Sequence, residues 1–99
     1  MKFKNVLKEY KYETGPATNL ESLAKYAKKK GLPAAEREVK TLVKKMMSGN
    51  GRTVHDNRND MSALISALNL YMEDVDAKMK EKLKASYQQI LQRIRRKAA

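Results

Sequence analysis

The chain has 99 residues, enough for one small domain, and its 22 Lys and Arg against 11 Asp and Glu give a net charge of +11. The absence of cysteine excludes disulfides, thiolate nucleophiles and cysteine-ligated metals, while one Phe and no Trp predict a core of aliphatic and thioether side chains. The positive charge favours a polyanionic partner: nucleic acid, an anionic membrane or an acidic protein.

The sequence has no stretch typical of a targeting signal or a membrane span. The residues after Met1 never reach the apolar run of about 7 to 15 residues that a signal peptide needs. No window approaches the ~20 apolar residues of a membrane-spanning helix. We therefore expect no membrane span, and a location in the cytoplasm or inside a particle assembled there.

The first predicted helix covers residues 3–12, where four apolar residues recur at helical spacing before a Gly-Pro pair ends it. A second helix is predicted to start at Thr18, because Glu21 three residues later completes a capping box. It should end at Gly31. The preceding lysines suit the negative end of the helix dipole; they are Lys28, Lys29 and Lys30.

Pro33 suits the first position of a third helix, where a backbone N–H is not needed. Lys44 and Lys45 lie near the end of this helix, and residues 48–59 are predicted to form a polar loop. The apolar face of the third helix consists of Ala35, Val39, Leu42, Val43, Met46 and Met47.

The segment from residue 20 to residue 47 resembles two kinds of DNA-binding motif, each over less than a third of the chain. It resembles a helix-turn-helix in Ala27, Gly31 and Leu32, but has Arg37 where that motif buries a Val or Ile. It is also similar to the SAP domain, a DNA-binding helical hairpin, although the later glycine of that pattern is missing. Both resemblances imply DNA binding, whereas the plainer interpretation is an ordinary helix pair with a Gly stop and a Pro start. The SAP-like residues are Leu23, Ala27, Gly31, Leu32, Pro33, Leu42, Val43 and Met46.

The C-terminal third has the most regular pattern in the sequence. Ten positions recur every three or four residues, about 3.67 on average, and predict one amphipathic helix over about residues 60–97. Asn59 or Asp60 would cap it. The alternative is a break at residues 73–76, with Asp74 or Asp76 capping a separate last helix. The ten positions are Met61, Ile65, Leu68, Met72, Val75, Met79, Leu83, Ser86, Ile90 and Ile94.

Together these elements predict an all-α fold, in which three short helices pack on the N-terminal half of the long C-terminal helix. That helix would be about 55 Å long, more than a compact domain of this size can cover. Residues 77–99 are therefore expected to project from the domain as a basic amphipathic end.

The projecting end holds eight Lys and Arg against Glu81, a net charge of +7. Cations repeated along a helix suit a phosphate backbone, so we predict a nucleic acid or another polyanion as partner. Only Tyr87 offers a ring for base stacking, which argues against single-strand binding. The predicted polyanion-binding residues are Lys78, Lys82, Arg93, Arg95, Arg96, Lys97, Lys28, Lys29, Lys30, Lys44 and Lys45.

The apolar side of the projecting end supports a second hypothesis. The short helices would not reach it, so it is predicted to pair with a second copy or with a helical partner. The protein would then be a structural or assembly protein, such as a component of a phage or bacterial particle. A membrane-surface helix is less well supported, because the stripe lacks Trp and Phe. The predicted interface residues are Met79, Leu83, Tyr87, Ile90 and Ile94.

No set of residues forms a catalytic or metal site in the sequence. His55 is the only histidine and has no second imidazole or thiol beside it. Residues 56–60 resemble the start of a calcium loop, but Arg58 occupies a ligand position. Residues 49–53 lack the Lys of a phosphate-binding loop, and Asp74 and Asp76 face different sides of a helix. We therefore expect no enzymatic activity, no cofactor and no metal.

Overall fold

The computed structural model describes residues 15–47 and 57–98. They form a 3-10 helix, Pro16–Thr18, and four α-helices, and the described ranges contain no strand, which confirms the all-α prediction. The helix predicted over residues 3–12 lies outside the described residues, as do His55 and residues 48–56 of the predicted loop. The four helices are α1 (Leu20–Lys30), α2 (Leu32–Met47), α3 (Arg58–Met72) and α4 (Ala77–Ala98).

The start of α1 differs from the prediction. Asn19, not Thr18, is the N-cap, and its Oδ1 accepts a hydrogen bond from the Ser22 N–H at 2.8 Å. Thr18 belongs instead to the 3-10 helix, where its hydroxyl donates to the Gly15 carbonyl at 2.9 Å. The predicted capping box is wrong, because Thr18 is engaged in the preceding turn and Asn is at least as good a cap.

Gly31 both ends α1 and begins α2. Its N–H donates to the Ala27 carbonyl at 2.7 Å, and its own carbonyl accepts from the Ala35 N–H at 3.2 Å. Its φ of 98° is one that residues with a side chain rarely adopt. Pro33 follows in the first turn of α2, where no N–H is needed. The predicted Gly stop and Pro start are thus confirmed, with α2 beginning one residue before Pro33.

The prediction of one continuous helix over residues 60–97 is wrong. α3 ends at Met72, and Glu73 after it has an extended backbone, with φ −76° and ψ 166°. α4 begins at Ala77, and the Asp76 Oδ1 caps it by accepting from the Met79 N–H at 2.8 Å. This is the alternative with Asp76 as the cap. The break needs no Gly or Pro, because Asp76 satisfies backbone donors at the start of α4.

The break reverses the chain, so that α3 and α4 form an antiparallel pair. Asp60 near the start of α3 contacts Lys97 near the end of α4, while Tyr71 near the end of α3 contacts Lys80 near the start of α4. Residues 77–98 therefore pack back along α3, and they do not form the projecting end that the sequence predicted for residues 77–99. The longest dimension of the described residues, 45 Å, is shorter than the helix predicted from the sequence.

One core lies between the four helices and the 3-10 helix. The Tyr87 hydroxyl donates to the Ala17 carbonyl at 2.6 Å, and the Gln88 amide donates to the Thr18 carbonyl at 2.9 Å, so α4 holds the 3-10 helix in place. The largest fully buried apolar side chains are Tyr87, Leu20, Leu23, Met47, Leu64, Leu68, Leu91, Ile94, Val39 and Val43.

Candidate nucleic-acid interface

The outward face of α4 carries a second regular stripe, opposite the buried one. Its six residues are 4, 3, 4, 3 and 4 positions apart, and all six are exposed. On a helical wheel they are centred about 180° from the buried Tyr87, and they extend over about 27 Å of helix. We call this set the outer stripe, and it contains no acidic residue. Its members are Lys78, Lys82, Ala85, Gln89, Gln92 and Arg96.

Two of the predicted polyanion-binding cations are held within the chain by Asp60. The Arg93 Nε and Nη2 atoms each lie 3.0 Å from the Asp60 Oδ1, and the Lys97 Nζ lies 2.8 Å from the Oδ2. The Asp60 side chain is only 8% exposed. It was predicted to cap the last helix, but α3 begins two residues earlier, at Arg58. Asp60 instead joins the start of α3 to the end of α4.

The charge state of Asp60 follows from two opposing effects. Burial raises the pKa of the carboxyl. Lys97 and Arg93 lower it through their hydrogen bonds and their charges, and their combined effect is larger than that of burial. The net result is a pKa below the ordinary value for Asp. The carboxylate is thus ionised at neutral pH and keeps both cations paired.

The lysines at the end of α1 lie away from the Asp60 contact. Lys28 lines a pocket of about 240 Å³ together with Glu73 and Asp74 of the α3–α4 turn and Lys80 of α4. The Lys80 Nζ lies 5.6 Å from the centre of the Tyr71 ring, in the range of a cation–π contact. The nearby carboxylates reduce the positive potential around Lys28. Asp60 and the turn are at opposite ends of α3, about 18 Å apart.

The predicted polyanion-binding residues therefore do not form one continuous surface. Lys78, Lys82 and Arg96 lie in the outer stripe, and Arg93 and Lys97 contact Asp60 at the far end of α4. Arg95 is half-buried on another side of α4. Exposed lysines also lie in the last turns of α1 and α2; they are Lys28, Lys29, Lys30, Lys44 and Lys45. Ala85, Gln89 and Gln92 were not among the predicted binding residues, although they follow the same helical spacing as Lys78 and Lys82.

Lys84 connects α4 to α1. Its Nζ lies 2.9 Å from the Glu81 Oε2 and 3.6 Å from the Glu21 Oε1. The hydrogen bond to Glu81, and then the charge of that residue, raise the pKa of the Lys84 ammonium above its ordinary value. Since both acids compensate its charge, Lys84 contributes less to an anion-binding surface than the cations of the outer stripe.

The predicted partner interface is mostly core. Leu83, Tyr87, Ile90 and Ile94 are buried against the same chain, and only Met79, 45% exposed, is accessible. Burial also raises the pKa of the Tyr87 hydroxyl well above its ordinary value. The prediction failed because α4 folds back onto α3, so its apolar face is covered without a partner.

Within the part of the chain that the structure describes, no three His, Cys, Asp or Glu side chains come together in a way that could hold a metal ion. None of the helices in residues 15–47 and 57–98 combines the length and apolar character needed to cross a membrane.

The α1–α2 pair differs from a helix-turn-helix in the length of the turn between its helices. Gly31 alone separates the two helices, whereas a helix-turn-helix has a turn of about three or four residues. No protein-family model, curated protein or solved structure matches the chain.

Proposed function

We propose that the protein is a non-enzymatic nucleic-acid-associated protein that contacts the phosphate backbone through the outer stripe of α4. One observation carries the proposal: Lys78, Lys82 and Arg96 are exposed along one face of a single helix, and none of them forms an ion pair within the described residues. They belong to a chain with a net charge of +11. Such a role would place the protein in the cytoplasm or in a particle assembled there.

How much a cation contributes to binding depends on whether it already forms an ion pair within the chain. An exposed cation that has no partner releases counterions from the nucleic acid when it neutralises a phosphate, and this release favours binding. Arg96 can also form two parallel hydrogen bonds with one phosphate. Arg93 and Lys97 would first have to leave Asp60, so their contribution is smaller. The outer stripe is therefore the main contact surface in this proposal.

The experiment measures binding to a labelled DNA duplex about two helical turns long, by fluorescence anisotropy, over a series of salt concentrations. The test variant carries Lys78→Gln, Lys82→Gln and Arg96→Gln. The control carries Lys25→Gln, Arg37→Gln and Lys40→Gln, which removes the same charge from exposed positions on α1 and α2.

The stripe variant should bind more weakly than the control. The slope of log K against log salt should fall in magnitude by about 0.9 for each phosphate that the variant no longer neutralises, or about 2.7 in all. The control should keep most of the original slope. The proposal is wrong if the native protein does not bind at low salt, or if the control loses as much affinity as the stripe variant. A greater loss in the control would move the contact surface to α1 and α2.

The alternative of a structural or assembly protein has lost the observation that motivated it. That hypothesis required an uncovered apolar face on residues 77–94, and the structure buries this face in the core. The large apolar side chains that are exposed within the described ranges are Leu32, Leu70 and Met79. We therefore do not propose self-association.

A further inference from the structure

We propose that the polyanion is double-stranded DNA and that the outer stripe of α4 lies in its major groove. This rests on the proposed function and names its partner. Lys78 and Lys82 lie at one end of the stripe and Arg96 at the other, with Ala85, Gln89 and Gln92 between them. This order fits a helix in a groove, where the cations at the ends can reach phosphates and the side chains between them can face the edges of the bases.

The aromatic residues favour a duplex over a single strand. Proteins that hold unpaired bases stack them on exposed aromatic rings, and the outer stripe has none. Tyr87 is fully buried, and its hydroxyl is bound to the Ala17 carbonyl. Lys80 lies over the Tyr71 ring, and Tyr26 packs partly buried against the core. The described part of the chain thus presents charge but no stacking platform beside the stripe.

The shape of α4 favours DNA over RNA. Its buried residues cover only about 100° of the helical wheel, and the outer stripe on the opposite side forms a convex ridge. The major groove of B-form DNA is about 12 Å wide and admits an α-helix, whereas the major groove of A-form RNA is too narrow for side chains to read. Ala85, the smallest side chain of the stripe, lies near its middle and permits a close approach of the helix to the bases.

The neutral side chains of the stripe favour A·T base pairs. A Gln amide can donate to N7 and accept from N6 of adenine, and an Ala methyl group can contact the methyl group of thymine. From Ala85 to Gln92 the helix rises about 10 Å, which is the length of about three base pairs. We therefore expect a short A·T-rich site beneath Ala85, Gln89 and Gln92.

The test compares four labelled probes of equal length in the anisotropy assay: an A·T-rich DNA duplex, a G·C-rich DNA duplex, one strand of the A·T-rich DNA, and the corresponding RNA duplex. The A·T-rich duplex should bind at least about fivefold more tightly than the G·C-rich duplex, the lower limit for one specific base contact. The single strand and the RNA duplex should bind more weakly than the A·T-rich duplex.

A double variant, Gln89→Ala with Gln92→Ala, separates base contacts from phosphate contacts. It should lose the preference for A·T pairs while keeping the salt dependence of the native protein, because all the cations remain. Ser86→Ala, an exposed polar position of α4 outside the stripe, is the control and should keep both properties. Circular dichroism should show unchanged helix content in both variants.

Three outcomes would overturn the inference and leave the proposed function in place: single strands that bind as tightly as the duplex, RNA duplexes that bind as tightly as DNA, or an A·T preference that survives in the double variant. In each case salt-dependent binding through the cations would persist. An absence of binding to all four probes at low salt would overturn both proposals together.

Discussion

Two sets of cations on α4 have different surroundings and, we argue, different roles. Arg93 and Lys97 contact the Asp60 carboxylate, which is 8% exposed, and so link the end of α4 to the start of α3. The cations of the outer stripe point away from the core. Both sets are Lys and Arg on one helix, so residue type does not separate them. What separates them is whether a buried carboxylate lies within reach, because a buried carboxylate needs partners and an exposed cation does not.

The largest effect should come from removing the paired set. Arg93→Gln with Lys97→Gln leaves the Asp60 carboxylate buried without a compensating charge, so the free energy of unfolding should fall by about 3 kcal/mol. Urea unfolding followed by circular dichroism measures this change. If the loss were below ~0.5 kcal/mol, the range of ordinary surface substitutions, the difference between the two sets would disappear.

The second effect is a dependence of stability on pH that Asp60 should produce. Because the pKa of Asp60 is lower in the folded state, the folded protein takes up this proton less readily than the unfolded chain does. The stabilisation is therefore present above the ordinary pKa of 3.8 and is lost as the pH falls through the lower, folded-state pKa. Asp60→Asn should cost about 2 kcal/mol at pH 7, the scale of hydrogen bonds to a charged group.

The stability difference between the native protein and Asp60→Asn should thus shrink as acid is added. Urea unfolding at several pH values, from neutral to strongly acidic, measures that difference. A difference that stays constant below the ordinary Asp pKa would mean that hydrogen-bond geometry, not charge, makes Asp60 important.

A smaller effect is expected on the inner face of α4. Tyr87→Phe removes the 2.6 Å hydrogen bond to the Ala17 carbonyl but keeps the buried ring. The free energy of unfolding should fall by about 1 kcal/mol, since one buried acceptor loses its donor. Hydrogen exchange of the Thr18 and Asn19 amides should accelerate in the same variant if this bond holds the 3-10 helix in place. Unchanged exchange would assign that role to the neighbouring Gln88 contact.

Much of the helical structure could be predicted because its signals are local. The stop at Gly31, the start near Pro33 and the buried positions of α2 all follow from residues within a few positions of each other. The break between α3 and α4 could not be predicted in the same way. The apolar spacing continues through residues 73–76, because both helices face one core, and only the cap at Asp76 marks the new start.

The candidate surface was predictable only in part for a related reason. The sequence identifies Lys78, Lys82 and Arg96 as cations on one side of a helix, and their exposure follows from the apolar period opposite them. It does not show that Asp60 holds Arg93 and Lys97, which are 33 and 37 residues away. That contact depends on the chain reversal, and the reversal depends on a four-residue turn that the hydrophobic pattern does not reveal.

The smallest effect on stability should come from the outer stripe itself. The triple variant carries Lys78→Gln, Lys82→Gln and Arg96→Gln. It removes one charge more than Arg93→Gln with Lys97→Gln, yet its free energy of unfolding should change by no more than about 0.5 kcal/mol. A slight gain is reasonable, since lower net charge reduces repulsion within the chain. Urea unfolding of this triple variant and of Arg93→Gln with Lys97→Gln compares the two losses of unfolding free energy directly. A loss near that of the double variant would show that the stripe supports the fold, and its weaker DNA binding would then have a structural cause. A negligible loss together with weaker binding would identify cations that are dispensable to the fold and needed by the partner.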